Sequence, residues 1–554
     1  MTAVTTSLQQ RQDELTARIA AAAFHKPEFS HGYLFENDIR DNFYYASYLF
    51  AAAVNPAIAF DGDRKEAKEK AERVLIRVIA LQDQQPASST YSHWPLNLRP
   101  TPQEASKNTL PVELMGSLMV YFTDRYAQQM SGELKDTMEQ ALFHVYRGHF
   151  YRKPMDHYNH HEAKYTAAKL IFGQRYQDSA LFEDGVQSLR ATYRRVTTEG
   201  MPEYGALPWF WHWVQAYTCA WTLMQDQAVR KELGLLLDWL WQYRATYYLG
   251  GAWIGPHSRI WPHDMPQDTN VLHDYVQFGD FTLPEAMPRT EYAGFLAYEA
   301  NAATRKLALE RQEAVEIRRL LPKGHDSRDL PGDHLHSYVY RTEHAAVGGI
   351  YERVREFDNE QHRWDVALPL DSVLGVNHAY FFHPDQEAPG DYRHQSEYSE
   401  VCFHRGTVLA AYDIPADKPA YIKGCLPLGE WTECGNALFG RCGNVYLAVY
   451  LMQPYIREVL ADRCSVRSEG IRNAVVVEVI EVGAASALGA DTVEALAAYL
   501  QDKQPQFSLT AEGQLNIAYT NTSGDTIVFE SGPSSAPQRS INGIAVCFEA
   551  YTVA

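Results

Sequence analysis

The sequence predicts a two-part chain: an N-terminal (α/α) toroid, an incomplete helical barrel, followed by an antiparallel β-sandwich. Three observations predict it. The first half reads as one amphipathic helix after another, with apolar residues three and four positions apart. The second half changes to period-two alternation and β-branched runs separated by turn residues. At 554 residues the chain is longer than one hydrophobic core holds together, so several domains are expected.

The helical candidates are residues 38–54, 63–81, 110–130, 133–147, 159–172, 179–196, 208–225, 228–243 and 289–311. Leu114, Leu118 and Tyr121 set one apolar stripe. The joins carry Pro154, Gly173, Gly200, Pro202, Gly250 and Pro256, which punctuate helices. Paired helices with alternating short and long connections fit a toroid whose long loops line a central cleft. No fixed-period repeat argues for a solenoid. A Pro-, Gly-, Asp- and His-rich stretch at 321–333 reads as a linker. Strand candidates follow at 338–340, 345–353, 373–376, 407–412, 445–451 and 474–481, with one inserted helix at 484–500. The expected domains are therefore a toroid over 1–320, the linker 321–333, a sandwich over 334–480 and a β extension over 481–554.

Composition excludes several functions. The 50 Lys and Arg against 69 Asp and Glu give a net charge of −19, which disfavours nucleic acid and anionic membrane surfaces. An acidic substrate would need a locally basic site, for which Arg152, Lys153, Arg194, Arg195 and Arg259 are available. Aromatics are abundant, with 35 Tyr and 11 Trp, and their faces suit sugar stacking. Seven cysteines with no C-x-x-C pair support neither a zinc knuckle nor a redox motif. The polar N-terminus lacks the apolar segment of a secretion signal, so the expected compartment is the cytoplasm, or the periplasm if an export signal precedes it. A homodimer is left open.

Four clusters carry chemistry. Asp156-His157-Tyr158-Asn159-His160-His161-Glu162 places three imidazoles at a helix start, where Asn159 also suits the N-cap. His160 and Lys164 would share one face, as would His161 and Tyr165. The Gly- and Pro-rich loop holding Glu203 and Tyr204 enters an aromatic helix with Trp209, Trp211 and His212. The segment Gly255 to Asp264 carries His257, Arg259, Trp261 and His263, a density of polar residues that core packing does not require. In the β half stand His334, His336, His344 and His362. No cofactor is required, although His334, His336, His362 and a carboxylate leave room for a divalent metal, zinc or calcium. No nucleophile elbow, P-loop or dinucleotide fingerprint is present.

These motifs resemble the heparinase II/III-like and alginate lyase group of polysaccharide lyases. The Asn159-His160 pair is similar to that family's Asn-His pair. Glu199-Gly200-Met201-Pro202-Glu203, followed by Leu207-Pro208-Trp209, is similar to its acidic-Gly-x-x-Glu loop and Ser-Pro-x-Tyr turn. His257 corresponds to a later catalytic-side His, and His336 or His362 to a β-domain His. The resemblance implies β-elimination on a uronate-containing glycan or oligosaccharide. Asn159 and Arg259 would neutralise the carboxylate, His160 or His257 would take the α-proton, and Tyr204 would protonate the leaving oxygen. Trp209 and Trp261 would stack the sugar, with His161, Glu203, His263 and His362 lining the site. Where the family has its catalytic Tyr this chain has Trp209 or Phe210, which leaves Tyr204 or Tyr217 for that role. The alternatives are a glycoside hydrolase using Glu203 and Asp264, a uronate epimerase, or a non-catalytic carbohydrate-binding protein.

Overall fold

The computed structural model describes residues 6–261, 265–324, 334–352, 361–385, 392–511, 513–532 and 535–553. Its helical half is built from α1 (Leu8–His25), α2 (Ile39–Val54), α3 (Arg64–Ala80), α4 (Leu110–Tyr126), α5 (Gly132–Gly148), α6 (His160–Arg175), α7 (Ser179–Glu199), α8 (Leu207–Leu223) and α9 (Gln227–Thr246). Two shorter helices, α10 (Leu272–Gln277) and α11 (Ala302–Leu309), follow. The even-numbered helices α2, α4, α6 and α8 are buried on nearly every side and pack on one another as an inner layer. The helices α3, α5, α7 and α9 bury one stripe and form the outer layer. A helix that is apolar all round belongs inside, and an amphipathic one covers it. Side-chain caps from Asp38, Asp63, Ser131, Asn159, Asp178 and Asp226 fix where the helices begin.

The β half has three layers among the described residues. A nine-stranded sheet runs in the order 455–459, 464–469, 421–426, 378–382, 364–367, 346–350, 334–341, 315–322, 552–553. A six-stranded sheet, ordered 399–404, 407–413, 472–481, 445–451, 437–442, 430–434, packs on it. Val366, Phe381, Val401, Val408, Leu447 and Val477 belong to the shared core. A five-stranded sheet from 506 to 545 closes the outer face of the six-stranded one, around Leu409, Val476, Leu496 and Phe529. All pairings are antiparallel except Thr552–Val553, which lies parallel to Val315–Pro322. The architecture is thus a helical toroid followed by an antiparallel sandwich.

Several elements differ from expectation. Sheet pairing begins at Val315, ahead of the linker expected at 321–333, of which 325–333 lie outside the described residues. A helix was not expected at α1, although Ser7 and Gln10 form a full capping box there. The helix expected at 289–311 exists only as α11. Residues ahead of it wrap the inner helices instead, because side chains there satisfy the backbone: Tyr292 N donates to Gln215 Oε1 and Gly294 N to the Tyr48 hydroxyl. Residues 372–374 make a 3-10 turn rather than a strand, ended by Gly375 at φ +67, where a Cβ would meet Asp462 O at 2.0 Å. The expected helix 484–500 is two, Val482–Ala487 and Val493–Leu500, parted at Gly489 (φ +75). All seven cysteines are free, and no described helix is long and apolar enough to cross a membrane.

One buried ion pair fixes the turn leading into the site. Arg244, fully buried, donates from Nε and Nη2 to Asp274 (3.0 and 2.7 Å) and from Nη1 and Nη2 to the carbonyls of Tyr247 and Ala252 (2.6 and 3.1 Å). Removing one partner of such a pair leaves a charge with no counterion. Asp274→Ala is expected to cost about 3–5 kcal/mol, read as a lower urea midpoint at unchanged m-value.

Candidate active site

The N-terminus of α6 is assembled by reciprocal caps. Asn159 Oδ1 accepts from the amides of His161 (3.0 Å) and Glu162 (3.3 Å), so its carbonyl oxygen is committed and Nδ2 is the group left to meet a ligand. Glu162 returns the contact to Asn159 N (3.2 Å) and takes the amides of Asp156 and His157 (2.6 and 2.9 Å). This holds Tyr158 at φ +52 and locks the loop onto the helix.

Glu203 is the hub of the site. Its Oε2 accepts the amide of His160 (2.8 Å) and Trp213 Nε1 (3.0 Å), while Oε1 meets His160 Nδ1 at 2.7 Å. Arg259 Nη1 stands 3.8 Å away. Burial opposes ionisation of Glu203. The charge and hydrogen bond of His160, with Trp213 and Arg259, outweigh it and hold the carboxyl down at about 2. Burial in turn lowers His160 to about 4, leaving a neutral ring that donates from Nδ1. Its Nε2 makes no hydrogen bond to a described residue.

Gly205 explains how this loop meets its neighbour. It sits at φ +63, and a Cβ there would lie 2.3 Å from Pro256 O, so only glycine allows the approach. Tyr204 O then accepts Ser258 N and Oγ (2.8 and 2.7 Å), which brings Arg259 over the site at φ +49.

Trp209 gathers the remaining groups. His160 stacks on it at 4.6 Å, the guanidiniums of Arg259 and Arg289 lie over it at 5.1 and 5.5 Å, and Trp261 meets it edge-on at 6.0 Å. His161, about a third exposed, joins Glu113 (2.7 Å), which also takes the Tyr165 hydroxyl (2.6 Å) and lies 3.1 Å from buried Lys164. His161, Tyr165 and Lys164 thus meet at the carboxylate of Glu113, while His160 turns to Glu203. Of the expected cations, Arg259 reaches the site. Arg152 is paired with Asp178, and Arg195 with Glu199.

Other expected residues lie elsewhere. His257 is wholly buried and bridges by its backbone to His362 (3.1 and 2.8 Å), and burial lowers its ring to about 3. Its ring lies 5.6 Å from those of both His362 and His378, at the seam between helices and sheet. Tyr204 is also buried there, its hydroxyl accepting from Gln361 Nε2 (2.7 Å) beside Leu321, Leu335 and Ile350. Tyr217 is buried in the helical core. Trp209 is half-buried, with His160 and two guanidiniums over its ring. His263 and Asp264 lie outside the described residues.

The metal-capable group also differs from the expected one. His336 is engaged with Glu352, whereas His257, Asp365 and His378 bring ligand atoms within 4.8 Å of one another. Among the described residues Asp365 Oδ1 and Asp268 Oδ1 meet no hydrogen-bond donor, and with the His257 ring they make a donor set that fits a divalent ion. His378 donates to Asp365 and Asp268 (2.6 Å each). Burial opposes its charge, but the two carboxylates prevail and raise it to about 10, so an ion would have to displace that proton. Sequence reasoning missed Glu113, His378, Arg289 and Glu291. The His and Arg types were visible, but their partners are up to 110 positions away.

No protein-family model matches this chain, and no curated protein matches it. Among solved structures, it is similar to heparinase III (TM-score 0.46, 10% identity, 99% of this chain and 92% of that one). It is also similar to a chondroitinase AC lyase studied with oligosaccharides (0.47, 8%, 96% and 91%). A third likeness is to the Streptomyces coelicolor A3 chondroitin AC lyase with chondroitin sulphate (0.46, 10%, 96% and 89%). At these identities no residue role is transferred from them.

The hub makes stability pH-dependent in a stated direction. Glu203 and Glu113 are held at about 2 against an ordinary 4.5, so their contribution is complete above 4.5 and is lost as pH falls towards 2. His160, lowered from 6.5 to about 4, adds a loss in the same direction between those values. Urea unfolding across this range should show stability falling with acid, and Glu203→Gln should flatten the slope below 4.5.

Proposed function

We propose that the chain is a lyase that cleaves a uronate-containing glycan or oligosaccharide by β-elimination. The observation that carries this reading is the neutral His160, oriented through Nδ1 by an ionised, buried Glu203, with Nε2 left to accept a proton. A carboxylate behind an imidazole fixes its tautomer and stabilises the imidazolium that forms, the logic of a hydrolase triad applied to a carbon acid.

The proton α to a carboxylate becomes removable when the negative charge growing on that carboxylate is neutralised. Arg259 and Arg289, ordered over Trp209, and Asn159 Nδ2 supply donors for this beside His160. The chain is strongly acidic overall, so guanidiniums concentrated at this one place favour an anionic substrate there. His160 takes the proton, the electron pair forms the double bond, and the β carbon–oxygen bond breaks. Trp261, with Arg393 over it at 6.0 Å, offers an aromatic wall for a sugar ring.

Incubation with a panel of acidic glycans and oligosaccharides should produce the ultraviolet absorbance of an unsaturated uronate. Products that have gained water without a double bond would show hydrolysis instead. His160→Gln should lower kcat roughly 10²- to 10⁴-fold, the range of a lost general base. Arg259→Lys should weaken turnover of the acidic substrate, because an ammonium cannot make the bidentate contact. Unchanged kinetics in both variants would remove this site from the reaction.

A further inference from the structure

Elimination leaves an alkoxide unless a proton reaches the departing oxygen as the bond breaks. The turn where the resemblance expects a tyrosine carries Trp209 and Phe210, neither of which has a transferable proton on that scale, and Tyr204 is engaged with Gln361. Besides Glu203 and Glu113, the site contains a further carboxyl group, that of Glu291.

The His160–Glu203–Arg259 set has a counterpart beside it. The ring of His212 lies 5.6 Å from that of His160, and its Nδ1 is 3.7 Å from Glu291 Oε1. Arg289 Nη1 is 3.6 Å from the same oxygen, and its guanidinium covers Trp209 as that of Arg259 does. Two His–Glu–Arg sets therefore meet at one indole. They are not equivalent. Glu203 is filled by two short contacts from His160 and one from Trp213. Glu291 has His212 Nδ1 and Arg289 Nη1 at the distances given, and Arg289 hydrogen-bonds it as well. Its backbone rests at φ +39, a conformation side chains rarely adopt, and the next residue is held by Gln215 (2.8 Å). Strain of this kind persists where the surroundings over-determine a position, and such positions gather at functional sites.

We propose that Glu291, as its neutral carboxylic acid, is the catalytic residue that delivers a proton to the leaving glycosidic oxygen; this rests on the elimination reading and deepens it. In the step His160 Nε2 takes the α-proton, the C–H pair becomes the double bond, the β carbon–oxygen bond breaks, and the oxygen takes the Glu291 proton. The products are an unsaturated uronate and a free hydroxyl, with His160 charged and Glu291 ionised. Moving one proton from His160 to Glu291 restores the enzyme, and His212 lies between them.

The surroundings suit the role. Burial raises the Glu291 carboxyl from its ordinary value, against the opposing charges of Arg289, Arg40 and Lys164 and a hydrogen bond from Arg289. The groups facing it are Arg40, Asp41, Tyr44 and Tyr48 from α2, Lys164 from α6, His212 from α8 and Arg289 from its own loop. A pair of carboxyls pushed in opposite directions is the usual mark of separate acid and base-side duties.

The test compares leaving groups in the full-length protein. Glu291→Gln should lose roughly 10²- to 10⁴-fold on the glycan, the range of a lost general acid. The same variant should release fluoride from a uronate carrying fluorine at the β carbon nearly as fast as the unsubstituted protein, because fluoride departs without a proton. Fluoride release also shows that the variant is folded. An equal loss on both substrates would make Glu291 structural, and no loss on the glycan would remove it from the step; either overturns the assignment. If the unsubstituted protein yields neither unsaturated product nor fluoride, the elimination reading itself fails, and this assignment with it.

Discussion

The carboxylate of Glu203 ties together three segments: the first turn of α6, the aromatic helix α8 and the loop bearing Arg259. An anion at a helix start satisfies a backbone donor that the helix cannot satisfy itself, and it lies at the positive end of the helix dipole. The same anion orients His160. Burying a carboxylate is costly unless it is hydrogen-bonded and paired, and here two ring contacts, one backbone contact and the nearby Arg259 serve it. Structure and chemistry at this place depend on one charge.

Trp209 gives that charge its setting. An indole carries negative potential on its face, so it can hold an imidazole and two guanidiniums without presenting a competing anion. Cations that would otherwise repel one another are kept within reach of a ligand. The long-range field of this acidic protein is negative, while the donors gathered here are positive. At physiological ionic strength the long-range part fades beyond about 8 Å, and the local donors dominate.

The seam between toroid and sandwich uses a different device. His378 lies between Asp268 from the helical half and Asp365 from the sheet, and the His257–His362 backbone bridge runs beside it. A buried imidazolium shared by two carboxylates has fixed directions, so it sets how the sheet presents itself to the helices. The rigid seam and the open hub are next to each other in sequence, since His257 and Arg259 are two residues apart, yet they serve different ends.

The sequence by itself determined the order of the fold. Helical periodicity placed the toroid first, and alternation placed the sandwich second, because these patterns are local consequences of burying one face. It also placed Asn159, His160, Glu203, Arg259 and Trp209 in candidate loops and helix starts. Helix 289–311 was legible as apolar periodicity but not as a wrapped loop, since Gln215 and Tyr48, which take its backbone bonds, are distant in sequence. Only the tertiary structure decided that His257 and Tyr204 are buried, that two guanidiniums gather over Trp209, and that Glu291 stands beside His212. Those outcomes depend on contacts between residues tens to hundreds of positions apart, and no local pattern encodes which partner arrives.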